Sequence, residues 1–337
     1  KASVKQAIVA ILEKSRAGQA YLEHAAQYNV TIEISAQVQT AFYDRKAGQI
    51  LINPYQDQVD MVLLAARELR RHWQHRSGAL INPLIFQPDN AVLIHRLQVA
   101  DLSTSMVRIA WELQLSGHKD IWERLEHSGM ADLARAFAHE AFLDFRTINN
   151  GVACAAVLEA WFLSERCKSE DKSLIQRMLA DTQGCVFDVD QPVKMVTAEF
   201  IAALGSMPFG KNYLASHTMT IMDDPIFNEV RDRSSANFLW FIKFERSFRE
   251  TEQVLQNGES SFDQSPDQIT GNSIGTNHEK PQSASVITFK AEQNNKSALT
   301  EQGLLSEDKG KKAHKKSRSA KADDDKIVYL RRWSADS

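Results

Sequence analysis

The sequence predicts an α+β fold that is mostly helical: a small N-terminal β-meander followed by a helical array. Apolar residues recur at helical spacing over most of the first 250 positions, while short alternating runs are confined to positions 30–52. A chain of 337 residues with 43% hydrophobic and 8% aromatic content has the material to bury a core around those elements.

Residues 3–28 read as helix, with Val4, Ala7, Ile8, Ile11 and Leu12 on one face. Val30 to Ile34 alternates like a strand. Ala41–Tyr43 and Gln49–Ile52 flank Asp44-Arg45-Lys46-Ala47-Gly48, whose glycine tolerates positive φ, and this predicts a hairpin. Asn53-Pro54 stops the last strand. A helix then runs from about Asp57 to Arg76, with Val62, Ala65, Ala66, Leu69 and Trp73 as its core stripe and Gly78 as its stop. Arg67 and Arg71 fall roughly opposite that stripe and read as a solvated charged face. A long helix over 90–116 follows a loop bracketed by Asn82-Pro83 and Pro88-Asp89, and further helices are expected at 119–127, 130–147, 151–167, 171–181, 194–204 and 234–253. In the last of these, Phe238, Phe241, Phe244 and Phe248, with Trp240, have the spacing of a core stripe.

Composition changes near Gln256. The expected organisation is a folded domain over 1–253, a disordered polar and charged linker over 254–325, and a short apolar docking motif over 326–337. The linker carries a basic run, Lys309 to Lys321, the one place where contact with nucleic acid is expected. A net charge of −3 and a pI near 6.4 argue against a nucleic-acid binder as a whole. No apolar run is long enough for a membrane span. Cys154, Cys167 and Cys185 are odd in number and lack C-x-x-C spacing, which suits a reducing cytoplasm. No Walker loop or G-x-G-x-x-G is present.

Several blocks then carry a resemblance in order: Phe42-Tyr43-Asp44 through Gly48 to Ile50-Leu51-Ile52-Asn53-Pro54; Ala66-Arg67-Glu68-Leu69-Arg70-Arg71-His72-Trp73-Gln74; Asn82-Pro83-Leu84; Asp101; Ala110-Trp111-Glu112-Leu113; Asp144-Phe145-Arg146-Thr147 with Asn149-Asn150-Gly151; Met207-Pro208-Phe209-Gly210-Lys211-Asn212-Tyr213-Leu214; and Asn237-Phe238-Leu239-Trp240-Phe241. Over about residues 35–250 the chain resembles a bacterial family of unknown function classed as zincin-like metallopeptidases. The resemblance implies a zincin-like fold and, in members closest to the active pattern, an H-E-L-R-H run where this chain has Arg67-Glu68-Leu69-Arg70-Arg71. It also implies a third acidic ligand from the next long helix, where this chain offers Gln98 and Asp101.

Zinc held by H-E-x-x-H needs imidazoles at i and i+4, with the glutamate between them activating the bound water. Arg67 and Arg71 occupy both positions and offer no lone pair to a cation. They can instead clamp a carboxylate or phosphate. The expectation is therefore a degenerate scaffold with no cofactor, binding an unknown protein or anionic ligand through Arg67, Arg71 and Asp101. The alternative keeps Glu68 as general base at a shifted zinc site drawn from His72, His75 and His95. Three ligands at i, i+4 and i+7 on one helix span about 10 Å, so any such site needs a residue from elsewhere, such as His95 or Asp101.

Overall fold

A computed structural model of the chain describes residues 3–181, 186–187 and 194–259, with side chains as far as Gln256 at that end. The first expected helix is two: α1 (Val4–Leu12) and α2 (Arg16–Gln27). Ser15 breaks them, because its hydroxyl accepts from the Gly18 N–H at 3.0 Å and caps a new helix.

Three strands follow, β1 (Thr31–Ile34), β2 (Ala41–Asp44) and β3 (Gln49–Ile52). The β2–β3 hairpin forms as expected, but the sheet is not a meander. Its order is β1-β3-β2, with β1 parallel to β3. β3 is the most apolar strand and takes the centre, so Ile32, Ile50 and Tyr43 line up across one buried face.

That face packs on α3 (Gln58–Arg76). Asp57 caps α3 by accepting from the Asp60 N–H at 2.8 Å, and Gly78, at φ 74°, ends it. α1, α2, the sheet and α4 (Pro88–Leu115) cover α3 on nearly every side. Arg67 and Arg71, expected on a solvated face, are part-exposed, but the polar residues around them are not: Glu68, Arg70, His72 and Gln74 are all inside. Trp73, expected in the core, is only half-buried.

α4 is about 42 Å long at 1.5 Å per residue and forms the spine of the helical array. Around it lie α5 (Lys119–Glu126), α6 (Ala131–Leu143), α7 (Thr147–Asn150), α8 (Val152–Leu163) and α9 (Glu165–Leu179). Buried Arg96 of α4 clamps Asp171 of α9 through two bonds of 2.6 and 2.7 Å, and donates to the carbonyls of Phe227 and Glu229. Three short helices, α10 (Ala198–Leu204), α11 (Thr218–Asp223) and α12 (Pro225–Asn228), precede α13 (Arg233–Glu259), which runs past the expected end at 253. The aromatic stripe of α13 points outward. Leu239 and Ile242 face inward in its place.

Cys154 and Cys167 are buried free thiols. Cys185, the basic run 309–321 and the segment 326–337 lie outside the described residues. Among the described residues, no helix is long and apolar enough to cross a membrane.

Candidate functional site

β2 is an edge strand, and its outer backbone groups are satisfied by α3 side chains. The Tyr43 N–H donates to Glu68 Oε2 at 3.1 Å, and Arg67 reaches toward the Ala41 carbonyl at 3.5 Å. Glu68 is buried to 1% exposure with its carboxylate between two guanidiniums. Arg67 Nε donates to Oε1 at 2.8 Å, and Arg71 Nε lies 3.0 Å from Oε2, an ion pair whose N–H is not aimed at the oxygen. The two arginines remain about one-third exposed, at 31% and 36% of their side chains. Burial lowers the pKa of Arg71, and the positive charges of Arg67 and Arg45 lower it further against the pull of Glu68. Arg45 comes from the β2–β3 turn, so its charge acts on Arg71 from outside α3.

Asp101 does not join Arg67 and Arg71, which corrects the expected binding set. It sits inside, clamped by Arg70 through two bonds of 2.7 Å. Tyr213 Oη and Gln74 Nε2 donate to its two oxygens, each at 2.7 Å, so all four acceptor sites of the carboxylate are filled. Arg70 is equally saturated. Its remaining N–H groups go to Tyr21 Oη, the Ser206 carbonyl and the Leu204 carbonyl, which uses all five donors. Burial opposes the charge on Arg70, but the Asp101 carboxylate beside it raises its pKa nevertheless. Gln98 turns away, donating to the carbonyls of Ala79 and Ile81.

His72 and His75 do not converge with Glu68. Both present Nδ1 to Tyr43 Oη at 3.0 Å, at the phenol end of a residue whose backbone end holds Glu68. One hydroxyl has a single proton, so one of these imidazoles accepts from Tyr43 and the other donates to it. His24 lies against His72, with ring centroids 5.1 Å apart. Burial, then the neighbouring His24 and Arg76, push the pKa of His72 down to about 4, so it is neutral at pH 7. His95 lies elsewhere, between α4 and α9. Its Nε2 bonds Glu170 at 2.9 Å, and Arg177 donates to its Nδ1 at 3.4 Å, which makes it the Nε2–H tautomer. The hydrogen bond from His95 lowers the pKa of Glu170 despite burial, with Arg177 and Arg71 adding to the effect.

A zinc ion does not fit these donors. Arg67 and Arg71 have no lone pair, Asp101 has no free acceptor, and Glu68 is engaged by two cations and an N–H. Among the described residues, no group of three or more His, Cys, Asp or Glu is arranged to hold a metal. Sequence reasoning found Glu68 and its arginines but missed Arg70, Gln74, Tyr43 and Tyr213. Arg70 and Gln74 share a helix face with Ala66 at i, i+4 and i+8, but that spacing alone carries no sign of their burial.

A family model described as "Putative metallopeptidase family (DUF6782)" matches residues 1–215. No curated protein and no solved structure matches the chain.

Proposed function

The chain belongs to this metallopeptidase family, and we propose that within it the chain is a zincin-like member that has exchanged zinc chemistry for anion recognition. The observation that carries this reading is the Arg67–Glu68–Arg71 cluster. The glutamate that activates water in an H-E-x-x-H site here pairs with two arginines standing where that motif has its histidines. Arg45, Arg67 and Arg71 carry three positive charges against the carboxylates of Glu68 and Glu170, so a further anionic group has a charge-assisted place to bind on the exposed part of Arg67 and Arg71. A carboxylate or phosphate, on a protein or a small molecule, is the chemistry that fits.

The test is titration of the full chain with inorganic phosphate and with a peptide carrying a free C-terminal carboxylate. Arg67→Ala/Arg71→Ala is expected to weaken binding by about tenfold or more, and binding is expected to fall with added salt. Unchanged binding in the double variant rejects this surface as the anion site. Zinc-dependent cleavage of peptides by the wild-type chain rejects the exchange itself.

A further inference from the structure

α13 carries two apolar faces. The inner face holds Leu239 and Ile242, buried with Ser235 and Arg246 as the helix packs on α4 and α9. The outer face holds Phe241, Phe244 and Phe248, which fall within an arc of about 60° and lie about half a turn from the inner face. Trp240 and Phe238 flank them. All five are between 49% and 60% exposed, and Val254 and Leu255 extend the exposed apolar surface toward the end of the helix. The rings are mutually ordered: Trp240 stacks on Phe244 at 5.4 Å and 15°, and meets Phe241 edge-on at 5.2 Å.

An aromatic side chain buries about 150–250 Å², so five half-exposed rings present on the order of 500 Å² of apolar surface. That is near the top of what a monomer normally leaves uncovered, about 300–600 Å². Two such faces pressed together cover about 1,000 Å² from the rings alone. Val254, Leu255 and the flanking stems bring the total into the roughly 1,200–2,000 Å² range of a specific interface. The charges beside the stripe favour a copy of the chain over a strongly acidic or basic partner. Glu245 and Arg249, 2.8 Å apart, present both signs on one flank, so a two-fold contact can satisfy them reciprocally without like charges meeting.

We propose that the outer face of α13 is a homodimer interface, joining two copies of the chain helix against helix across a two-fold axis. Its residues lie beyond 1–215, outside the family-matched region and the arginine cluster.

The experiment is light scattering and sedimentation of the full chain from about 1 μM to about 100 μM, a range that spans weak to moderate dimers. The wild type is expected at twice the chain mass of 38.0 kDa. Phe241→Glu/Phe248→Glu is expected at a single chain mass with unchanged circular dichroism, because both positions are exposed. The milder pair Phe241→Ser/Phe248→Ser is expected to shift the same equilibrium with less risk to folding. A full chain that stays monomeric throughout overturns the proposal, whether its own C-terminal residues or another molecule occupy the face. A folded variant of either pair that stays as dimeric as wild type overturns it too.

Discussion

Asp101 and Glu68 are both buried carboxylates held by arginine, yet they differ in what they hold together. Asp101 has every acceptor site filled, and its partner Arg70 has every donor used, so neither can lose its partner without stranding a buried charge. Asp101→Asn is expected to cost about 3–5 kcal/mol in chemical denaturation, the range for breaking a buried pair. Glu68 pairs with arginines that reach water, so Glu68→Gln should cost less, about 1–3 kcal/mol. The reverse ranking would mean that the inner clamp is not the structural one. His72 makes a separate residue-scale statement. Its folded pKa is about 4, below the ordinary value of 6.5, and burial, the largest cause, lowers His24 and His75 as well. Between those values the unfolded chain binds more protons, so the stability these histidines contribute is complete above about pH 7 and is lost as pH falls toward 4. The urea midpoint should therefore drop between about pH 7 and pH 5, and the drop should be shallower in His72→Gln. Identical slopes in the two proteins would remove His72 from the acid response.

At the level of elements, periodicity located α3, α4 and the β2–β3 hairpin closely, because each has a strong start or stop residue: Asp57, Pro88, Gly48 and Gly78. It failed where one element serves two surfaces. The α3 pattern showed one apolar stripe, but the helix is covered on several sides, and its second lining is the polar set Glu68, Arg70, His72 and Gln74. Spacing alone does not distinguish a buried arginine from a solvated one. The opposite failure occurred on α13, where two apolar stripes were present and the outward one, with its aromatics, read as core. The strand order was also hidden, since parallel pairing of β1 with β3 leaves no local turn signal. Trp73 is half-buried, and its Nε1–H donates to Ser206 Oγ at 3.2 Å, so Trp73→Phe should cost only about 0.5–1.5 kcal/mol. A loss above 3 kcal/mol would restore it to the core. Gly151 joins α7 to α8 at φ 95°, where an added Cβ lies 2.7 Å from Tyr213 Cβ. Gly151→Ala combines positive-φ strain with a clash and should destabilise by about 1–3 kcal/mol, readable as a lower thermal midpoint. An unchanged midpoint would mean that this junction relaxes freely.

Over the whole molecule, α4 is the beam to which the other layers are pinned by arginine–carboxylate contacts. Arg70–Asp101 ties α3 and the loop after α10 to it, and Arg96–Asp171 ties α9 and the chain after α12; Glu112, paired with Arg108 of the same helix, accepts from the Ser15 hydroxyl and the Ala17 N–H and so ties the start of α2. The family-matched region includes the sheet, α3 and α4, and α3 packs against both of the others within it. The family description names a "Putative metallopeptidase family", while the proposed reading gives the arginines at residues 67 and 71 an anion to bind. These two statements meet in one quantity, the zinc bound per chain. The most direct measurement is elemental analysis of the full chain after dialysis against zinc, beside Arg67→His/Arg71→His, which restores imidazoles at i and i+4 around Glu68. The account predicts no stoichiometric zinc in the wild type and a gain of zinc in the double variant. About one zinc per wild-type chain, lost in Glu68→Gln or His72→Gln, would contradict it.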